Sequence, residues 1–275
     1  MTQSYKDKVA IITGGSSGIG RSLVCLLAER GATTIIADVN KIEGEKLAAT
    51  LREKGGKSYF YYLDVSNEGD VYNLVSYVYE TYGALDFMFN NAGISAMREF
   101  EDITSAQWKQ MIDVNVLGVV YGSTAAYQIM KSRGHGYIIN TSSAAAFGPA
   151  PLTAAYGATK HAALALTTSL YYEAEAYGVN VSAVCPAFVT TPITENMDMA
   201  NFDRAVFQKQ AKNSISSDRC AEIILKGVQK KQLIITTIGF RKTTDILFAL
   251  FPGLQRQLMR LVVREGRKAK VQVTS

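Results

Sequence analysis

Thr13-Gly14-Gly15-Ser16-Ser17-Gly18-Ile19-Gly20 is the stretch on which the folding of this chain turns. It grows out of Val9–Thr13 (VAIIT), a β-branched run that reads as a buried strand. It leads into Ile19–Arg30, an amphipathic stretch that reads as a helix stopped by Gly31. Glycines between a strand and a helix permit a tight turn. They also leave backbone N–H groups bare at the helix N-terminus, where the peptide dipoles favour an anion. The same alternation continues along the chain. Thr33–Ala37 reads as a second strand and Lys41–Lys54 as a second helix; Tyr59–Leu63 and Asp70–Tyr82 form a third pair ended by Gly83. Phe87–Phe89 is a fourth strand. Long helical patterns over Ser105–Arg133 and Ala155–Tyr177 enclose a fifth, Tyr137–Asn140, and Val179–Val184 and Leu233–Thr237 are the sixth and seventh.

Strands this apolar, alternating with helices of ten residues or more, imply a parallel sheet covered on both faces. Right-handed crossovers then wind it in both directions. The expected fold is α/β: a single doubly wound Rossmann-type domain with a seven-stranded parallel sheet and helices on both faces. No proline-rich linker or internal repeat interrupts it. Residues 1–240 read as a dinucleotide-binding and catalytic domain with a substrate loop at about 187–210, and residues 241–275 as a basic, amphipathic helical extension.

Composition narrows the possibilities. A chain of 275 residues, 48% hydrophobic and 19% charged, can bury a substantial core. Met1–Lys8 lacks the apolar run of a secretory signal, and no apolar run reaches the roughly 20 residues that span a bilayer. Cys25, Cys185 and Cys220 are odd in number and scattered, and His135 and His161 are the only histidines, so neither a disulfide framework nor a metal centre is expected. This usage suits a reducing, cytoplasmic setting. The net charge of +5 is unevenly placed: from Phe240 to Ser275 eight Lys and Arg stand against Asp245 and Glu265, which leaves the body near neutral. A nucleic-acid partner is therefore not expected.

Asp38 ends the second strand, 18 residues beyond Gly20. A carboxylate there can accept both ribose hydroxyls of an adenosine and would repel a 2′-phosphate. No Arg or Lys occurs among Ser16, Ser17, Val39 and Asn40, so NAD is favoured over NADP; Asn40 is available to cap the next helix. Asp64-Val65 ends the third strand at the place for an adenine edge, although Asp64 could equally serve as a cap beside Ser66 and Asn67. Asn90-Asn91-Ala92-Gly93 ends the fourth strand beside the topological switch, where small residues let a backbone lie under a ligand.

Read in order, these residues resemble the short-chain dehydrogenase/reductase family, in its compact subgroup. The family's TGxxxGIG falls at Thr13–Gly20, its NNAG at Asn90–Gly93, its helix asparagine at Asn115 within Asp113-Val114-Asn115-Val116, and its YxxxK at Tyr156–Lys160. Its strand-end serine lies in Asn140-Thr141-Ser142-Ser143; the family's spacing, 13 residues before the tyrosine, selects Ser143 over Ser142. Its proline-glycine turn and following threonine appear in Cys185–Pro192, with Ala187 in place of the glycine. The resemblance covers about residues 6–192 and implies catalytic roles for Asn115, Ser143, Tyr156 and Lys160. It implies cofactor contacts at Gly14, Ser16, Ser17, Gly18, Ile19, Gly20, Asp38, Val39, Asp64, Val65, Asn91, Ala92, Gly93, Tyr156, Lys160, Pro186, Val189 and Thr191. A homodimer or homotetramer is implied as well.

The implied reaction interconverts a secondary alcohol and a ketone, which needs a hydride from the cofactor and a proton at the substrate oxygen. Free tyrosine has a pKa of about 10 and is a poor base at neutral pH. Lys160 stands at i+4 from Tyr156, on the same helical face, where its ammonium would stabilise the phenolate. A drop of two to three pKa units requires roughly 3–4 kcal/mol of such stabilisation. In the family's pattern Ser143 holds the substrate oxygen and Asn115 completes a polar relay from Lys160 toward water.

The loops Ile94–Phe100, Ala144–Thr153 and Ala187–Phe207 supply Ile94, Met97, Phe147, Leu152, Phe188, Ile193, Met197 and Met199, which suit a hydrophobic small-molecule alcohol or ketone. Two alternatives stand beside this: a membrane-associated reductase of lipid ketones (of 3-ketosphinganine or steroid type), and a catalytically silent NAD-binding sensor. In Asp245–Arg264, Leu247, Phe251, Leu254, Leu258, Leu261 and Val262 recur at three- and four-residue steps opposite Arg256, Arg260 and Arg264, and Pro252-Gly253 should split the stretch into two helices. Packing on its own subunit or on a partner, a lid over the substrate mouth, and peripheral contact with a membrane surface are the three readings of this tail.

Overall fold

Val9–Thr13 forms β1, with all five residues buried. Its neighbours are β2 (Thr33–Asp38) on one side and β4 (Phe87–Asn90) on the other. Beyond β2 lies β3 (Lys57–Tyr62); beyond β4 lie β5 (Gly136–Thr141), β6 (Val179–Cys185) and β9 (Ile234–Thr236). The computed structural model describes residues 5–191, 193, 197–199, 201–203, 214–239, 247–248 and 250–270. Its sheet runs β3-β2-β1-β4-β5-β6-β9, every pairing parallel. The strand order reverses between β1 and β4, and the C-terminal ends of these two strands define the crevice in which such sheets bind ligands. β7 (Val189–Thr190) and β8 (Ile215–Ser216) make a separate two-stranded pair past the end of β6.

Side-chain alternation explains the unbroken apolar runs. Ala10 and Ile12 point into one layer, with Ile36 and Phe89, against α1 (Gly18–Glu29), α2 (Lys41–Glu53) and α7 (Ser217–Gln229) through Leu23, Leu27, Leu47, Ile224 and Leu225. Val9 and Ile11 point into the other, with Ile35, Met88 and Ile138, against α3 (Glu68–Tyr82), α5 (Gly118–Arg133) and α6 (Ala154–Glu175) through Val71, Leu74, Val78, Ala126, Met130 and Ala174. Each such Leu or Ile, fully buried, contributes roughly 1.5–3 kcal/mol. Polar caps set the helix starts: the Asn40 side chain accepts from Glu43 N–H at 3.2 Å, and Asn67 accepts from Asp70 N–H at 3.3 Å.

Two departures from the sequence reading matter, and one expectation holds. The long helix over Ser105–Arg133 is two helices, α4 (Ser105–Ile112) and α5, joined by a π-helical turn at Asp113–Leu117. The helix α7 went unread, although Cys220, Ala221, Ile224, Leu225 and Val228 carry its three- and four-residue spacing. The tail is indeed broken at Pro252, which opens α8 (Pro252–Arg267) after the helical residues Leu247, Phe248 and Leu250. Asp245, Phe207 and Pro192 lie outside the described residues.

Glycine at position 20 is a packing requirement: a Cβ there would run into the Gly14 carbonyl and stand 2.7 Å from Asn91 Nδ2. Gly20→Ala is therefore expected to lower stability by about 1–3 kcal/mol in urea unfolding. Gly69→Ala in α3, where a Cβ meets only Asn67 Oδ1 at 3.5 Å, is expected to be neutral or to stabilise by up to ~1 kcal/mol. Equal midpoints for the two variants would contradict this account of Gly20.

Candidate active site

Thr13, the last residue of β1, joins the two halves of the crevice. Its Oγ1 accepts from the backbone N–H groups of Asn91 at 2.9 Å and Ala92 at 3.0 Å, and donates to Phe89 O at 3.3 Å. In return Asn91 Nδ2 donates to Thr13 O at 3.0 Å. The glycine loop and the Asn91–Gly93 strip are thereby fixed edge to edge. Gly14 and Gly18 adopt left-handed backbone (φ +64° and +52°), which only glycine reaches without strain, and Gly14 leaves no room for a Cβ, which would lie 2.9 Å from Ala92 Cα.

Asp38 closes the outer side of this loop. Its Oδ2 accepts from Ser16 N–H at 3.0 Å and its Oδ1 from Asn40 N–H at 2.9 Å, so the carboxylate stands at the end of β2 against the turn. Asp64 is held in a tight turn, accepting from Ser66 N–H at 2.9 Å and Ser66 Oγ at 2.7 Å, while Asn67 caps the helix. Val65 is buried against Gly118, and Val39 is exposed beyond Asp38. Ser16 and Gly20 are buried in the turn, whereas Gly14, Ser17, Gly18, Ile19, Asn91, Ala92 and Gly93 face a cleft of about 640 Å³.

Ser143, Tyr156 and Lys160 meet in that cleft, together with Pro186, Val189 and Thr191. Tyr156 and Lys160 lie one turn apart on α6; Lys160 Nζ is 5.7 Å from the centre of the Tyr156 ring and donates to Thr141 O at 2.9 Å. Ser143 follows β5, its Oγ accepting from Ala145 N–H at 3.1 Å. Ser142, next to it, spends its hydroxyl on the Lys160 carbonyl at 2.7 Å and so braces the helix. Asn115 sits in the π turn, fully buried: its Oδ1 accepts from Ile94 N–H at 2.8 Å, and its Nδ2 donates to Ile94 O at 2.9 Å and Thr159 Oγ1 at 3.1 Å. Asn115 has no hydrogen bond to Lys160 among the described residues. The two approach each other across Gly93, where a Cβ would meet Asn115 Oδ1 at 3.1 Å and Lys160 Nζ at 3.3 Å. Thr159, absent from the sequence reading, links this network onward by donating to Tyr156 O at 2.8 Å.

The electrostatics of the chain by itself differ from the expectation. Tyr156 borders the cleft, and burial pushes its pKa above the usual tyrosine value, against a lowering pull from the Ser143 hydroxyl. Burial drives Lys160 down to about 8, opposed by the Cys185 thiol. Both groups are thus pressed toward their neutral forms, and Lys160 alone does not make Tyr156 a phenolate at neutral pH.

Apolar loops form the walls: Met97, Leu152, Phe188, Ile193 and Met197 line the cleft. Ile94 packs with Trp108, Ile103 and Met111, and Met199 joins Met97, Leu152, Met197, Phe202 and Ala269 in a separate cluster. Leu152 holds φ +62°, an uncommon conformation for a leucine, at this mouth. Met259, Val262 and Gly266 of α8 complete the rim. The end of the tail is fastened there by Arg267 Nε to Glu99 at 2.7 Å and by Asp203 N–H to Ala269 O at 2.6 Å.

The family model of the short chain dehydrogenases matches residues 8–201. The chain belongs to this family of oxidoreductases. It is 36% identical over 192 residues, 70% of this chain and 69% of the relative, to a 3beta-hydroxysteroid dehydrogenase of Mediterraneibacter gnavus. It is 34% identical over 191 residues (70% and 76%) to a cyclopentanol dehydrogenase of Comamonas testosteroni, and 38% identical over 196 residues (70% and 73%) to a mitochondrial borneol dehydrogenase of Lavandula x intermedia. Among solved structures, a short chain dehydrogenase/reductase of Burkholderia phymatum in complex with NAD superposes with a TM-score of 0.83 at 28% identity, covering 92% of this chain and 96% of that one.

Within the family pattern, Ala187 is accommodated without strain: its backbone lies outside the left-handed region, and its N–H donates to Thr237 Oγ1 at 2.9 Å. The buried ammonium of Lys160 carries the larger cost. A lysine whose folded pKa falls below its unfolded value of about 10.5 destabilises the fold while it is charged, fully below pH 8 and progressively less as pH rises to 10.5. Lys160→Met is expected to raise stability at pH 7 by roughly 3 kcal/mol, with the gap to the native chain narrowing between pH 8 and 10.5 in urea unfolding. A gap independent of pH would contradict the burial cost.

Proposed function

We propose that the chain interconverts a hydrophobic cyclic secondary alcohol and its ketone, with NAD as hydride partner and Tyr156 as general acid and base. The observation that carries this is the convergence of Tyr156, Ser143 and Lys160 on the floor of a cleft whose walls are Met97, Leu152, Phe188 and Met197. Three relatives named for dehydrogenation of a hydroxysteroid, cyclopentanol and borneol support a cyclic substrate. Residues 1–240 would then serve as the cofactor-binding and catalytic domain and 241–275 as its extension, in a homodimer or homotetramer.

The residues present fit the cofactor. Gly14 and Gly18 leave the backbone open at the N-terminus of α1, where a pyrophosphate is favoured. Asp38 offers a carboxylate at the end of β2 for the adenosine ribose, with Ser16 and Val39 on either side, and Asp64 and Val65 border the adenine position. Pro186, Val189 and Thr191 line the far end, and the structure of the Burkholderia phymatum relative holds NAD. The nicotinamide, when bound, supplies the hydride in reduction and takes it in oxidation.

The chain's own residues manage the proton. In reduction the Tyr156 hydroxyl gives its proton to the carbonyl oxygen while Ser143 donates a hydrogen bond to that same oxygen. The raised pKa of Tyr156 keeps this proton in place until negative charge develops on the substrate, and the Lys160 ammonium then offsets the phenolate left behind. Asn115 positions α6 and the Ile94 segment on either side of the reacting atoms. A second reading, a lipid-ketone reductase at a membrane surface, is favoured by the apolar residues that α8 exposes. A silent NAD-binding sensor would have no use for the full set of Asn115, Ser143, Tyr156 and Lys160.

Tyr156→Phe is expected to cut turnover about a thousandfold while NADH affinity, read by fluorescence titration, stays within about twofold. Parallel loss of both would point to misfolding and against the assigned role. A panel of steroids, cyclopentanol, borneol, sugars and polyols tests the substrate class, and activity confined to sugars and polyols would overturn it. Asp38→Asn is expected to erode the preference for NAD over NADP at least about tenfold in kcat/KM, since an uncharged amide no longer repels a 2′-phosphate; an unchanged ratio would remove Asp38 from the adenosine site.

A further inference from the structure

We propose that α8, with the helical residues before it, docks the chain on an anionic lipid surface so that the mouth of the cleft faces the bilayer. The three sides of α8 have different surroundings. Met259, Val262 and Gly266 border the cleft, Gly266 buried and Val262 still 42% exposed between the cleft and the leucine side. Arg256, Arg260, Arg264 and Arg267 line a shallow groove of about 620 Å³ with Pro149. Leu254, Leu258 and Leu261 stand on the remaining side with 44%, 41% and 43% of their surface exposed, and Leu250 and Phe251 prolong the ridge at 68% and 58%. A contiguous apolar ridge left in water, with a basic flank, marks a surface that meets something.

Charge decides the occupant. The segment from Phe240 to Ser275 carries eight basic residues and two acidic ones. Arg264 and Arg267 have Glu265 and Glu99 at 3.5 and 2.7 Å, but Arg256 and Arg260 have no acidic partner among the described residues. A second copy seated on the ridge across a two-fold axis would bring the same guanidinium rows together, and like charges facing each other oppose association. A layer of anionic headgroups meets the arginines with opposite charge, each strengthening attachment roughly fivefold, while the leucines enter the acyl boundary.

The geometry gives this docking a consequence for substrate entry. The inward side of the same helix is the cleft rim, and the Arg267–Glu99 pair with buried Ala269 fixes the helix against the loops. An apolar alcohol dissolved in the bilayer would then reach the cleft without crossing water. No helix among the described residues is long and apolar enough to cross a membrane, so attachment is to the surface. The docking does not depend on which alcohol, or which chemistry, occupies the cleft.

The test is flotation of the full chain with vesicles of phosphatidylcholine alone and of phosphatidylcholine mixed with phosphatidylserine. Binding is expected only to the mixed vesicles and should fall as salt is raised. Arg256→Glu with Arg260→Glu should weaken it at least about tenfold, and Leu254→Ser with Leu258→Ser should do the same, both without loss of Tm or NADH affinity. No binding, equal binding to both vesicles, or binding indifferent to the arginine pair overturns the proposal. So does a Leu254/Leu258 variant whose mass by light scattering drops to a smaller oligomer while vesicle binding persists, which makes the ridge a subunit contact. Since no turnover is measured, failure here is separable from failure of the alcohol–ketone assignment.

Discussion

One threonine hydroxyl holds the crevice together. Thr13 Oγ1, itself buried at the end of β1, takes the half-buried N–H groups of Asn91 and Ala92, and a buried polar group left unpaired would cost roughly 1–3 kcal/mol. Because of that pairing the turn after β1 and the strip after β4 cannot move apart. Gly14 can then pass under Ala92, and Gly93 can lie between Asn115 and Lys160 with no room for a side chain. The glycine motif is thus as much about one segment of backbone passing another as about leaving space for a phosphate.

The same tight packing explains the charge state at the centre. Burial removes the water that would solvate a phenolate or an ammonium, so both Tyr156 and Lys160 are held toward neutrality. Tyr156 thus keeps its proton until charge elsewhere changes, whereas Lys160 gives its own up more readily than a free lysine. The hydrogen bonds of Ser142 and Thr141 to Lys160, and of Thr159 between Asn115 and the Tyr156 carbonyl, fix the positions in which that exchange occurs.

Much of this was legible in the residues themselves. β1 coincides with its sequence span because four consecutive apolar residues and Thr13 stand between Lys8 and Gly14. Asn40 and Asn67 cap where a short polar side chain precedes an amphipathic run, and the latter leaves Asp64 to its own turn. The π turn was not legible: one extra residue in a helical turn leaves the apolar pattern on both sides intact while rotating Asn115 inward. Nor could the place of α8 be read, since an amphipathic helix says that it has two faces and not what they meet. Its position rests on contacts such as Glu99 with Arg267, separated by 168 residues.

That long-range closure also sets a timetable. The catalytic floor of the cleft comes from residues before 161, whereas part of its rim comes from a helix that follows every strand of the seven-stranded sheet. During synthesis, N-terminal segments are available to fold first. A nascent chain therefore possesses the residues of its polar centre well before it possesses those of the α8 rim. The late-made helix α8 borders Met97 and Leu152, and its Arg267 pair with Glu99 ties that border to a segment made far earlier.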